Sequence, residues 1–380
     1  MDFELSDDQR LLRDSVEGLL KSLYRPEDRR RHMAEGAGWS RQFWTQLADQ
    51  GLLGLPFDEA DGGFGAGPVE TMIVMEAFGR ALVVEPYLST VVLCGGMLRL
   101  AGSDTQNQHH IARIADGSLV LALAHAEEQS GHDLEDVATT AVRTTGGWRI
   151  SGRKIAVQDA AGADMLAVTA RTSGSRRDHN GLGVFLVPAD AAGLVPHSYP
   201  LQDGRGAADV TFDGVEVPEQ AVLGDPERGL ELLTASVDRA QAALCAEAVG
   251  AMDEALRLTV DYLKTRRQFG APLGSFQALQ HRAADMFVCL EQARSMSFLA
   301  TMAIGFDDPR ERSLAISAAR VQVAKSSRLI GQQAIQLHGG VGMAMETPIG
   351  HYFKRLSMIE MLFGGSDYHL RALGEAVGDW

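Results

Sequence analysis

The chain has little cysteine and no excess of basic residues. Its three cysteines, Cys94, Cys245 and Cys289, are far apart in 380 residues and form no C-x-x-C pair. This pattern argues against a disulfide framework or a cysteine-bound metal, and we expect buried neutral thiols in a reducing compartment. A net charge of -15 argues against nucleic-acid binding, because neutralising phosphates requires a basic face.

Long apolar runs are also lacking. No stretch approaches the ~20 apolar residues of a membrane span. The first nine residues, MDFELSDDQ, are acidic and polar where a signal peptide would be basic and then apolar. We therefore expect a cytoplasmic protein without a membrane span, and a chain of this length is expected to form two or three structural regions.

Residues 1–117 have the patterns of a helical domain. The sequence Ser6-Asp-Asp-Gln9 is a capping box, and apolar residues then recur at helical spacing until Pro26. A second helix is predicted from about Ser40 to Gly51. Further helices are predicted over 67–82, 89–101 and 105–115.

The apolar period changes in the middle of the chain and changes back later. Residues 118–222 contain short strand patterns separated by Gly, Asp and Ser turns, which predicts a small antiparallel β domain with an exposed loop over 171–180. Residues 223–380 predict a four-helix bundle with long helices over 229–265, 273–304, 311–338 and 348–360 and another from 366. The expected fold class is α+β, mostly helical.

One run of residues identifies a family resemblance. Residues 262–286 contain Arg266-x-x-Phe269-Gly270, then Phe276-Gln277, then Ala284-Asp285-Met286. This run resembles the signature of the acyl-CoA dehydrogenases, and the order helical domain, β domain, helix bundle is that family's architecture. The resemblance spans essentially the whole chain. It implies FAD as cofactor, an acyl-CoA as substrate, α,β-desaturation as reaction and a tetrameric assembly.

The resemblance also implies residues that reach a neighbouring subunit's FAD. Arg266 would contact the pyrophosphate, assisted by Gln268 and Phe269, because a fixed cation holds phosphate charge. The stretch from Gln336 through Gly339 and Gly340 resembles one whose glutamine and glycines contact the neighbour's adenine and ribose. The alternatives are a surface arginine at a helix end and an ordinary helix C-terminal cap.

The residues that would hold the chain's own flavin ring depart from the family pattern. Ala126 stands where the family has a threonine, Ala156 where it has a tryptophan, and Gln158 where it has another threonine. An aromatic cover and hydroxyl donors are thereby lost, although the Gln158 amide remains a donor. Ser366 is also expected among the cofactor-binding residues. The residues that would contact a neighbour's FAD thus match the family better than those that would hold the chain's own flavin. This difference suggests an assembly of two kinds of subunit.

The usual catalytic base is missing. The family carries a glutamate at the position of Gly364, or alternatively on the first bundle helix at Ala240, a position counted from Gly229 and Gly250, which are 21 residues apart. Asp367 is a weak substitute that we also interpret as a helix N-cap. Glu247 is expected to be too distant, since it lies about 10 Å further along that helix.

Two residues near the alternative position are expected to bind substrate. Asp238 matches an acidic residue that the family often carries near the pantetheine arm of CoA. Gln241 stands at the position of the family's arginine.

Four hypotheses follow. The leading one is a subunit of a heteromeric FAD-dependent acyl-CoA dehydrogenase, resembling the small subunit of pimeloyl-CoA dehydrogenase and the paired dehydrogenases of steroid side-chain degradation. The others are a self-sufficient homotetramer with a relocated carboxylate, a non-redox scaffold, and a flavin monooxygenase of the same fold. The implied partners are a second dehydrogenase subunit and an electron-transfer flavoprotein.

Overall fold

The first N-terminal helix begins where a local capping signal predicts. In the computed structural model, which describes residues 4–378, the first helix has its predicted capping box: Ser6 Oγ accepts from the Gln9 amide, and the Gln9 side chain accepts from the Ser6 amide. The helices of this region are α1 (Asp7–Leu23), α2 (Pro26–Met33), α3 (Arg41–Asp49), α4 (Pro68–Ala81), α5 (Gly95–Ala101) and α6 (Asp104–Ala115). A π-helical segment, Leu88–Cys94, precedes α5. Helix α2 was not predicted, because its sequence PEDRRRHM carries no apolar periodicity.

The middle of the chain forms a mixed sheet with two parallel pairs. Its strands are β1 (Leu121–Ala124), β2 (Thr140–Thr144), β3 (Gly147–Gln158), β4 (Met165–Arg171), β5 (Leu182–Pro188), β6 (Leu194–Pro200) and β7 (Gly206–Pro218). The pairs β2–β3, β3–β7, β6–β7 and β4–β5 are antiparallel as predicted, whereas β1 and β2 both run parallel to β4, so the sheet is mixed. Strand β6 was not predicted, because most of its side chains are exposed and lack apolar alternation.

The last third of the chain forms the predicted helix bundle. Its elements are α7 (Gly229–Thr265), a short hairpin of β8 (Arg267–Gln268) and β9 (Ala271–Pro272), α8 (Gln277–Ala303), α9 (Pro309–His338), α10 (Pro348–Met361) and α11 (Ser366–Gly378). Small residues let the helices approach closely. The Phe353 ring of α10, for example, lies 2.9 Å from where Gly331 of α9 would carry a Cβ.

The chain divides into two units. One comprises Met1–Arg29, Pro68–Val83 and Gln241–Trp380, and it contains most of the bundle. The other comprises Arg30–Gly67 and Val84–Ala240, and it contains the sheet. Among the residues that the structure describes, no helix is long and apolar enough to cross a membrane.

Candidate functional site

The hairpin that follows α7 presents an aromatic ring to solvent from a strained turn. Phe269 and Gly270 at its tip both have positive φ, 54° and 78°. A left-handed φ is unfavourable for a bulky side chain and is found mainly where function or context demands it. The Phe269 ring is 92% exposed, so burial within this chain does not offset that strain.

Arg266, just before the hairpin, is an available cation. It is exposed, and its guanidinium forms no hydrogen bond or ion pair within residues 4–378. By contrast, its neighbour Arg267 donates to the Gly270 carbonyl at 3.3 Å. Of these two arginines, Arg266, the predicted pyrophosphate ligand, is therefore the one whose side chain has no partner in the described chain. An anion-binding side chain must be available in this way.

The glycine-rich turn at the end of α9 is open on its outer side. Gly339 has φ 61° and caps the helix. A Cβ built on Gly339 or Gly340 meets no atom within 4 Å, so packing within the described chain does not require a glycine at 340. Gln336, one turn earlier on α9, is also exposed. An open glycine backbone beside an exposed amide suits close approach by a ligand.

A ring stack joins the two segments that are predicted to contact the FAD of a neighbouring subunit. Tyr262 near the end of α7 and His338 at the end of α9 have ring centroids 4.4 Å apart and an interplanar angle of 25°. Burial lowers the pKa of His338, which favours the neutral imidazole; its Nδ1 is 2.8 Å from the Ala334 carbonyl. The stack places Arg266 and Gln336 on neighbouring segments of one unit.

A buried ion pair supports the loop of Ala126. Lys154 Nζ on β3 donates to Glu127 Oε1 at 2.7 Å and to Thr169 Oγ1 at 2.9 Å. Burial lowers the pKa of Lys154 to about 8 even though Glu127 opposes that shift. Burial raises the pKa of Glu127, but the charge and hydrogen bond of Lys154 outweigh it, and the pKa is lowered to about 2. Both groups are therefore charged at pH 7.

Ala156 lies in an irregular turn of β3 that Asp209 holds. It has φ 51° where the β3–β7 register shifts. Asp209 Oδ1 accepts from the Ala156 amide at 3.1 Å and from the Tyr199 hydroxyl at 2.8 Å. The Tyr199 hydrogen bond is the main cause of the lowered pKa of Asp209. Ala156 is exposed, and the Gln158 side chain has no partner among the described residues, so its amide is free to donate.

The predicted position of the family's glutamate is strained and crowded for a side chain. Gly364 has φ 107° and is buried, and a Cβ placed on it would lie 2.4 Å from Tyr368 Cδ1. A non-glycine residue in this part of backbone space costs ~1–3 kcal/mol before any clash is counted. The preceding Phe363 also has positive φ, 55°. The backbone of this turn therefore disfavours a side chain at residue 364.

Asp367 and Ser366 open α11, directly after this turn. Asp367 is exposed and is the second residue of the helix, so it lies in the first turn and not at the N-cap that the sequence suggested. A carboxylate there interacts favourably with the helix dipole. Ser366 is partly buried.

Helix α7 carries the alternative base position and the predicted substrate residues. Ala240 is 0% exposed, Asp238 is 3% exposed and Gln241 is 7% exposed. Gln241 Oε1 has no hydrogen-bond partner within the described chain, as a side chain awaiting a ligand would show. These substrate assignments remain predictions.

Glu247 on α7 is committed to an ion pair. Its Oε1 and Oε2 accept from Arg355 Nε at 2.6 Å and Nη2 at 2.8 Å, and both side chains are almost fully buried. Sequence reasoning set Glu247 aside as a base because of distance. The structure adds that a bidentate guanidinium occupies both of its carboxylate oxygens.

Several supporting residues were missed at the sequence level: Glu127, Asp209, Arg320 and Arg355. Each is a charged residue whose partner is far away in sequence, so no local spacing connects them. The available signal was a charged residue within an otherwise apolar or small-residue segment, as in Ala318-Ala319-Arg320-Val321.

Comparisons with known proteins agree with this architecture. The chain matches the family descriptions "Acyl-CoA dehydrogenase, N-terminal domain" over 6–118, "middle domain" over 122–215 and "C-terminal domain" over 227–378. It is 31% identical over 313 residues to acyl-CoA dehydrogenase FadE12 of Mycobacterium tuberculosis, covering 80% of this chain and 79% of that protein. It is 28% identical to the probable acyl-CoA dehydrogenase YngJ of Bacillus subtilis, covering 97% of each. The crystal structure of the ChsE4-ChsE5 complex from Mycobacterium tuberculosis matches with TM-score 0.89 and 26% identity over 100% of both chains.

Proposed function

The chain belongs to the acyl-CoA dehydrogenase family, and we propose that it is a subunit of a heteromeric FAD-dependent member that completes the flavin site of a partner subunit. Acyl-CoA is the substrate class of the assembly. FAD, when bound, accepts the hydrogen that leaves the β-carbon as hydride. The residues of this chain contribute binding, and the partner contributes the base.

The single observation that carries the proposal is the conformation of Gly364. Its φ of 107° and the Tyr368 ring, 2.4 Å from the place of a Cβ, disfavour the family's glutamate at this position. Ala240, at the alternative position, is buried and apolar. General acid–base catalysis typically contributes ~10²–10⁴-fold in rate, so a chain without a base contributes little turnover alone.

The residues predicted to contact the partner's FAD favour the same conclusion. Arg266 is exposed and has no partner within the described residues, Phe269 is held in solvent, and Gly340 faces open space. These groups suit a pyrophosphate, an aromatic ring system and close backbone approach. They fit an FAD that a second subunit presents to this surface.

Solved relatives offer precedent for pairing. The ChsE4-ChsE5 structure is a complex of two proteins. We propose that this chain also pairs with a second protein, in a tetramer with two copies of each. An electron-transfer flavoprotein is the proposed electron acceptor.

Flavin stoichiometry tests the proposal. The chain is purified alone and after co-expression with a second acyl-CoA dehydrogenase chain, and FAD is measured by absorbance and by mass. We expect little FAD on the chain alone and about one FAD per pair. One FAD per chain in the absence of a partner, together with reduction of a dye by acyl-CoA, would refute the proposal.

The buried ion pair beside Ala126 favours a second candidate function. The buried Lys154–Glu127 pair is intact, which favours a chain that binds its own flavin. The enzyme would then be a homotetramer, with Asp367 as the relocated base. Asp367→Asn separates the two ideas, because only the homotetrameric enzyme would lose turnover.

A further inference from the structure

Arg320 on α9 holds the turn that contains Gly364. It is 2% exposed. Its Nη2 donates to the carbonyls of Ile359 and Leu362, each at 2.8 Å. The same nitrogen lies 3.4 Å from the carbonyls of Glu360 and Gly364. One guanidinium nitrogen therefore contacts backbone oxygens before the turn and within it.

The charge of Arg320 is balanced by backbone and not by a bonded carboxylate. No salt bridge joins Arg320 to an acidic side chain within residues 4–378. Its neighbouring side chain is the thiol of Cys245. The accepting carbonyls lie at the end of α10, where the helix dipole is negative and the last carbonyls lack helical partners. A buried cation in this arrangement satisfies those carbonyls and fixes where the chain runs next.

The turn needs such an anchor because its backbone is strained. Phe363 and Gly364 are consecutive residues with φ of 55° and 107°. Residues in sparsely populated conformations persist only where surrounding contacts determine them. Arg320 supplies contacts before the turn, at Ile359, and within it, at Leu362 and Gly364.

We propose that Arg320 is a positioning residue that sets the turn Leu362–Gly365 in a form that strains any residue but glycine at 364. Arg320 thereby holds a backbone that disfavours a side chain at the predicted position of the family's base. The inference rests on the proposed function for the importance of residue 364, but the anchoring itself concerns this chain alone.

Hydrogen–deuterium exchange of the full-length chain tests the anchoring. In Arg320→Met, amides of 362–366 should exchange about tenfold faster, because the turn loses its buried hydrogen bonds, while amides of α8 change less than about threefold. The exchange rates in Arg320→Lys should lie between those in Arg320→Met and those in the parent, since an ammonium still donates to these carbonyls. The matched control is Arg328→Met on the same helix, because Arg328 is more exposed and pairs with the side chain of Glu360.

A second measurement distinguishes positioning from general stabilisation. Gly364→Ala should lower the urea midpoint of unfolding in the parent, and it should lower it less in the Arg320→Lys background, where the turn can relax. Equal midpoint losses in both backgrounds would overturn the inference, as would uniform acceleration of exchange over the whole unit. If Arg320→Met does not fold, the Lys variant decides. The partner-dependence of FAD binding is read in a separate experiment, so failure of either idea is distinguishable.

Discussion

The ring of Tyr262 stacks on the ring of His338 at 4.4 Å, and this contact joins the ends of α7 and α9. The two segments that follow these rings are the Phe269 hairpin and the Gly339 turn. Both segments are largely exposed, and the stack is one tertiary contact between the helix ends that carry them. Proper spacing of a cation and an amide is what a shared dinucleotide site requires.

Replacing Tyr262 by Leu should loosen this spacing. Loss of the ring pair removes ~0.5–1.5 kcal/mol beyond the buried area, and the free energy of unfolding should fall by at least that amount. FAD per pair in the co-expressed assembly should fall several-fold. Tyr262→Phe keeps the ring and is the matched control. Equal FAD content in the Leu and Phe variants would show that the stack does not position the site.

Arg266→Gln should weaken FAD binding by the assembly. Loss of a charge-assisted hydrogen bond costs ~1.5–3 kcal/mol, which corresponds to about 10- to 100-fold in affinity. The chain's own unfolding midpoint should not change, because the guanidinium has no partner among the described residues. Arg267→Gln, one residue away, is the control and should retain FAD. If both variants bind FAD as the parent does, Arg266 is a surface residue without a role in cofactor binding.

The Lys154–Glu127 pair should make the chain acid-sensitive. The folded-state pKa of Glu127 is depressed from 4.5 to about 2, so its stabilisation is present above pH 4.5 and is lost as the pH falls from 4.5 towards 2. The shift corresponds to about 3 kcal/mol. Urea unfolding of the parent and Glu127→Gln at pH 7 and pH 3 checks this, and the difference between them should shrink at the lower pH.

At pH 7 the same substitution should be costly, because it leaves Lys154 buried without its partner. We expect a loss of ~3–5 kcal/mol. Glu219→Gln, which breaks the exposed pair with Arg143, should cost less than ~1 kcal/mol. A loss for Glu127→Gln no larger than that of the surface variant would contradict the buried-pair assignment.

Gly364→Glu should not create an active dehydrogenase from the isolated chain. The substituted residue requires φ near 107° and meets Tyr368, so the turn must rearrange before any carboxylate reaches the site. Gly364→Ala should destabilise by ~1–3 kcal/mol. Gly365→Ala is the matched control, since its Cβ would meet only the Glu360 carbonyl at 3.9 Å. Turnover of the Glu variant that rises ~10²-fold or more over the parent would show that only the base was missing.

Local sequence patterns predicted the parts of the fold that depend on local physics. The capping box at Ser6 and the long apolar repeat of α7 specify helices without reference to the rest of the chain, and both predictions are confirmed. Helix α2 and strand β6 have no such pattern. Their stability comes from tertiary context, which overrides propensity and leaves no periodic trace.

The candidate site shows the same division. The positions Arg266, Gly340 and Gly364 were found from motif resemblance, and their roles remain predictions. The sequence did not disclose that Gly364 has a left-handed backbone, nor that Glu247 is held by Arg355, 108 residues further along the chain. Arg320 left no signal in any motif, because it binds carbonyl oxygens, which every residue type provides.

That choice of ligand has an evolutionary consequence. Since Arg320 holds carbonyls at Ile359, Leu362 and Gly364, these contacts do not depend on which side chains the three residues carry. The residue that holds this bend lies on another helix, some 40 residues upstream of the bend itself. Related chains that share the turn should therefore be recognised by a buried guanidinium and a glycine that vary together, and not by the residue types between them.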